Sequence, residues 1–195
     1  MSPKVRMRGK ATIADLLAIP EEERFHELID GEIVQKASPS GAHGSAQIEV
    51  GTLINGAFGH RPGGRGPGGW WFASEVDVQL GADVCRPDVV GWRRDRVSER
   101  PREAIVKVLP DWICEVLSAR NKRNDLIRKK HVYHRNRIGH YWIVDPEEEM
   151  LSVNRWTEDG YLEVIAAERG DRIRAEPFDA IEFNVGVLFG DDPEE

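Results

Sequence analysis

The sequence predicts an α/β fold, a central mixed sheet flanked by helices. Three observations carry this expectation. Between Asp111 and Pro146 the chain runs from an apolar strand, DWICEVLS, through a basic helical segment to a second apolar strand, HYWIVDP. That order is a βαβ unit, which makes its two strands parallel neighbours. Upstream, WWFASEVDVQL alternates apolar and polar residues, turns at GAD and continues as VCRPDVVGW, which reads as a hairpin. Near the C-terminus, MLSVNRWTEDGYLEVIAA reads as another hairpin, with its turn at Glu158-Asp159-Gly160.

The remaining elements follow in order. A chain of 195 residues with about 40% apolar side chains suits one domain over 1–195 with a real core. A helix-strand extension at 10–36 opens it. Thr12 caps ATIADLLAI with Asp15 three residues on, and the helix stops near Pro20. Asp30-Gly31 is a turn signal, and Glu32 to Lys36 reads as a strand. SPSGAHGS reads as a loop before the helix QIEVGTLINGAF, whose buried side is expected at Ile48, Leu53 and Phe58. GHRPGGRGPGG is a rim loop. It lacks both the Walker spacing and the dinucleotide glycine pattern, so phosphate cradling is not expected there. In the basic segment, Leu126, Ile127, Val132 and Tyr133 are expected to form the apolar helix face. A last apolar segment, IEFNVGVLF, precedes an acidic end.

The total charge is −7, yet Arg120 to Arg137 holds eight basic side chains and one acid, which leaves −14 on the rest. Such a gathered charge is either a solvated helix face or a phosphate-binding surface. Cys85 and Cys114 lie in apolar runs and read as buried free thiols. No apolar run is long enough to span a bilayer and no apolar leader follows the start, so a cytoplasmic protein without membrane contact is expected.

Two acids stand out. Asp88 sits at the mouth of one strand and Glu115 inside another, flanked by WIC and VL. On adjacent strands their carboxylates would converge, and a cation would relieve their repulsion. Mg²⁺, or Mn²⁺ in its place, suits such a pair, with water and substrate phosphate as further ligands. Lys129, on the following helix, is the candidate to face developing phosphate charge, and Lys130 faces about 100° away from it. The plainer alternatives are that Asp88 caps a turn and that Glu115 faces solvent or pairs with an arginine.

These residues carry a resemblance. RFHELIDGEIV at 24–34, His43, RPDVV at 86–90, LPDWICEVLS at 109–118, then Asp125, Lys129 and Tyr133, and YWIVDP at 141–146 resemble, in order, the Uma2 family, also called DUF820, of the PD-(D/E)XK nuclease superfamily. The likeness covers nearly the whole chain. It implies a restriction-endonuclease-like core and metal-dependent hydrolysis of DNA phosphodiester bonds. Asp88 and Glu115 would be the metal ligands, and Lys129 the catalytic lysine moved to the next helix. Glu32 and His43 would border the site. Position 117, where the superfamily's lysine usually stands, is Leu. Arg137 and His140 also depart from the family, which commonly has Gly and Glu there. Arg120, Lys122, Arg123 and Lys130 would grip flanking DNA phosphates. A C₂ homodimer is expected, from the two strands of a duplex and from the supply of tryptophan at 70, 71, 112, 142 and 156. The competing readings are an inactive DNA-binding or accessory protein of the same fold, a small-molecule metal hydrolase and an oligomeric adaptor.

Overall fold

The computed structural model describes residues 10–64, 66–118 and 122–192. The first helix, α1 (Ile13–Leu17), begins with a full capping box between Thr12 and Asp15. Strands β1 (His26–Ile29) and β2 (Glu32–Gln35) pair across the Asp30-Gly31 turn. Helix α2 (Gly41–Phe58) starts earlier than expected, inside the segment read as a loop. Ser40 caps it by accepting the His43 N–H at 3.2 Å, and this outweighs the low helix propensity of Gly41 and Gly44. Its buried stripe is Ala46, Val50, Ile54 and Phe58, a strict four-residue spacing, whereas Ile48 is 67% exposed and Leu53 half-buried.

WWFASEVDVQL forms two strands, not one. Strands β3 (Trp70–Ser74) and β4 (Asp77–Leu80) belong to different sheets, and the chain bends between them at Glu75, whose φ is +55°. The partner run divides as well, into β5 (Asp83–Cys85) and β6 (Val89–Arg93). The expected hairpin is present, but it is shared between sheets: β3 pairs with β6 and β4 with β5, both antiparallel. The two-residue β7 (Ile105–Val106) lies parallel to β4. Strand β8 (Trp112–Val116) carries Glu115. A π-helical turn, Asn124–Lys129, runs into α3 (Lys130–Arg135). Strands β9 (His140–Asp145), β10 (Met150–Thr157) and β11 (Gly160–Glu168) follow. The short β12 (Arg172–Ile173) and β13 (Phe183–Asn184) pair with each other.

The central sheet has six strands in the order β11-β10-β9-β8-β6-β3. It is mixed, because β8 and β9 are parallel and the other pairs antiparallel. One face packs on α2 and the C-terminal segment through Trp112, Cys114, Val116, Trp142 and Phe178. Ile113, Tyr141 and Ile143 on the other face meet Val132 and Tyr133 of α3. A second sheet, β2-β1-β5-β4-β7, closes this side with Ile29, Val78, Leu80 and Cys85. The sequence did not separate this second sheet from the first. The region read as an N-terminal extension is built into it, because β1 pairs with β5.

Two further expectations change. Leu126 and Ile127 are exposed at 36% and 49%, and the inward positions of their turn belong to Asp125 and Lys129. Val132 and Tyr133 are buried as expected, and only over Asn124–Lys129 does a widened turn with buried ion pairs replace the apolar face. Most of the tryptophan supply is spent on the core: Trp112 and Trp142 are fully buried, Trp70 is 7% exposed, and Trp71 and Trp156 are half-buried. Arg137, where the resemblance calls for Gly, has φ +57°, a conformation in which glycine is at ease and arginine is strained. His140 begins β9 with its Nε2 3.6 Å from Glu176. Both cysteines are buried and unbridged. Among the described residues no helix is long and apolar enough to cross a membrane.

Candidate metal centre and its two buried lysines

Asp88 stands where the two sheets part, one residue before β6. The antiparallel register Val89↔Cys114, continued by one step, sets Asp88 across from Glu115. The two acids are therefore neighbours, as the sequence suggested, but their oxygens have different partners. Asp88 Oδ2 accepts the Val116 N–H at 2.7 Å. Its Oδ1 faces the Lys36 ammonium at 2.9 Å and His43 Nε2 at 3.5 Å. Burial alone would raise the Asp88 pKa, but the His43 hydrogen bond and the charges of Lys36 and Lys129 hold it well below the usual carboxylate range. Burial would likewise lower His43, and the bond and charge of Asp88 reverse that, leaving its pKa above the usual value.

Glu75, at the bend between β3 and β4, completes this group. Ligand atoms of His43, Glu75 and Asp88 all lie within 4.8 Å of one another. A histidine nitrogen and two carboxylates form a donor set that suits a divalent cation. His43 is 7% exposed and its Nδ1 has no hydrogen-bond partner, so the imidazole is incompletely satisfied by the protein alone. The residues present fit a metal ion.

Glu115 is not in that cluster. It belongs to a second buried cage centred on Lys129, whose Nζ is 3.0 Å from Glu27, 3.1 Å from Glu115 and 3.2 Å from Asp125. All four side chains are at most 4% exposed. The Tyr133 hydroxyl also donates to Glu115. Burial drives the Glu115 pKa well above its ordinary value, against the pull of Lys129, and Asp88 and Asp125 add to the rise. Lys129 is raised despite its burial, because Glu115, Glu27 and Asp125 surround it. Three carboxylates share one ammonium here, so the cage carries excess negative charge in a setting where uncompensated charge is costly.

The expected residues thus divide. Asp88 and His43 meet. Glu115 and Lys129 meet directly behind them. Glu32 stands apart: its side chain is 69% exposed and ion-paired with Arg128 at 3.0 Å. Of the four expected phosphate contacts, Arg120 lies outside the described residues. Lys122 is paired with Asp145 at 2.7 Å, and Lys130 bonds Asn154 at 3.2 Å rather than pointing to solvent. Arg123 is exposed. Much of the basic segment's charge is therefore neutralised within the fold, Arg135 by Asp30 and Asp83 included.

Glu75, Lys36 and Glu27 were missed, and Asp125 was noted without a role. Within WWFASEVDVQL the alternation slips near Ser74, and that break is the one sequence signal for Glu75. Nothing local marks Glu27, which accepts the Arg86 N–H at 2.7 Å and touches Lys129 only through the sheet pairing.

The cage gives a pH test. Burial, with Asp88 and Glu27 nearby, lifts Asp125 to about 6 in spite of Lys129. Its ordinary value is 3.8, so between those values the folded state holds a proton that the unfolded state has released. By linkage, this group's contribution to stability falls as pH rises from about 4 to about 6. Metal-free protein is expected to lose that contribution on going from about pH 4 to about pH 7, while Asp125→Asn does not. Urea unfolding at both pH values checks this, and identical pH trends in the two proteins would refute it.

An α/β architecture of the restriction-endonuclease kind, with a His/Glu/Asp cluster able to hold a metal ion, defines the class. The chain belongs to the Uma2 family, described as "Putative restriction endonuclease", whose profile matches residues 13–186. It is similar in fold to the crystal structure of "a putative nuclease belonging to DUF820" from Anabaena variabilis ATCC 29413. The TM-score is 0.75 at 24% identity, over 91% of this chain and 97% of that one. No curated protein matches the chain.

Proposed function

We propose that this protein is a metal-dependent endonuclease that hydrolyses DNA phosphodiester bonds. One observation supports it most. A buried aspartate at the parting of the sheets joins a histidine and a second carboxylate on one side and a glutamate–lysine cage on the other. Asp88 would hold Mg²⁺ or Mn²⁺, with His43 and Glu75 on the open side and Glu115 behind. The imidazole favours Mn²⁺ over Mg²⁺ within this set. A bound ion supplies charge neutralisation for the phosphate and acidifies a water.

The chain's own groups do the positioning. Lys129 fixes Glu115 and adds positive potential next to Asp88. Gln47 donates to the Asp88 carbonyl at 2.9 Å and keeps the turn in place. Lys122, released from Asp145, would grip flanking phosphates together with Arg120, Arg123 and Lys130, contacts that carry little sequence information. A cleft of about 460 Å³ bordered by Phe25, Lys36, His43, Glu75 and Arg86 gives access to the cluster.

The test is a cleavage assay on DNA and RNA substrates with and without Mg²⁺ or Mn²⁺. Glu115→Ala is expected to lose cutting and keep most DNA affinity. Failure of the wild type to cut any substrate with either ion, while still binding DNA, would favour the inactive DNA-binding reading. A homodimer is part of the proposal, because two symmetric sites suit the two strands of a duplex. Light scattering should give twice the chain mass at micromolar concentration, and a monomer mass would reject it.

A further inference from the structure

Lys36 occupies the position of a cation. Its Nζ lies 2.7 Å from Glu75 Oε2, 2.9 Å from Asp88 Oδ1 and 2.9 Å from the Arg86 carbonyl oxygen. Glu75 and Asp88 are two of the three members of the metal-competent cluster. An ammonium has three donors, and all three have acceptors here. A divalent ion on the same carboxylates would stand within a few ångströms of that ammonium, and like charges so close repel strongly. The ion and the ammonium therefore compete for one set of oxygens. The unpartnered Nδ1 of the buried His43 is a separate sign that the group is incomplete. Lys36 also has somewhere to go. Its side chain is 12% exposed and borders the cleft, beside Phe25 and Arg86.

Resting on the metal-centre reading above, we propose that Lys36 is an internal counter-cation. Metal loading expels its ammonium from the Glu75–Asp88 cage into the cleft, where it becomes a ligand for a phosphate of the substrate strand. In the metal-free protein the ammonium pairs with both carboxylates, offsetting one of their two charges, and is itself withheld from phosphate. In the loaded protein it is free. Metal and polyanion then favour each other's binding, and linkage makes that coupling reciprocal.

Titration calorimetry with Mn²⁺ alone tests the competition. Lys36→Met keeps the stem and removes the charge, so Mn²⁺ is expected to bind about tenfold tighter than to wild type. Equal or weaker binding by a folded variant overturns the proposal. A second measurement uses only the wild type. Acetylation of Lys36 by a soluble acetylating reagent, mapped by mass spectrometry, should be several-fold faster with saturating Mn²⁺ than without it. An unchanged rate with Mn²⁺ bound also overturns the proposal. The phosphate role is read by fluorescence anisotropy of a labelled oligothymidylate with Ca²⁺. Ca²⁺ should tighten binding to wild type and not to Lys36→Met, and equal tightening in both refutes that role. Absence of Mn²⁺ binding in both proteins would overturn the metal centre itself, a result distinct from Mn²⁺ binding that leaves Lys36 unreactive.

Discussion

Replacing Lys129 with methionine is expected to destabilise the metal-free protein by about 3–5 kcal/mol, the usual cost of stranding partners of a buried charge. The side chain is 1% exposed and its ammonium is the cation shared by Glu27, Glu115 and Asp125. Methionine fills the same space, so packing loss is small and the effect reports electrostatics. Adding Glu115→Gln removes one stranded charge and should recover part of the loss, since residues in one network couple strongly. Urea unfolding midpoints at constant slope measure both changes. A single variant within about 0.5 kcal/mol of wild type, the scale of an ordinary surface substitution, would show that the cage is neutralised in some other way.

Asp88→Asn is expected to abolish tight Mn²⁺ binding and to slow cleavage at least about a hundredfold, since metal assistance supplies several kcal/mol of charge stabilisation. Asparagine keeps an oxygen for the Val116 N–H, so the β6–β8 junction should survive. Its folded pKa lies below 3.8, so the wild-type carboxylate adds stability above that pH which is lost on acidification below it. The variant should therefore be less sensitive than wild type to strong acid. Calorimetry separates metal loss from any loss of activity, and unchanged Mn²⁺ affinity in the variant would remove Asp88 from the metal role.

Periodicity and turn chemistry made much of the central sheet legible. The β8–helix–β9 unit and the C-terminal hairpin follow from local patterns, while the meeting of Asp88 and Glu115 was implied by the family resemblance. Features that depend on distant partners were not legible. The alternation of 70–80 slips only near Ser74, so the run reads as one strand, and the passage of the chain between sheets at Glu75 follows from partners distant in sequence. Lys36 and Glu27 look like ordinary surface residues of a polar segment, and their neighbours Asp88 and Lys129 lie 52 and 102 positions away. The helix carrying Lys129 was read as having an apolar inner face, because apolar side chains usually win the interior. Here Asp125 and Lys129 hold that position together, and Leu126 and Ile127 are turned outward.

The Lys129 cage also sets an order of assembly. Its members come from β1, β8 and the helix that follows β8, so no contiguous fragment short of residues 27–129 contains it. A chain emerging during synthesis presents Asp88 41 residues and Glu115 14 residues before Lys129, and β8 gains its parallel neighbour only when β9 has emerged. Before residues 129 and 133 emerge, Glu115 has neither its cation nor the Tyr133 hydroxyl. The cage is thus complete only once residue 129 has emerged, and a copy truncated before that point carries the carboxylates of Glu27, Glu115 and Asp125 without their shared cation.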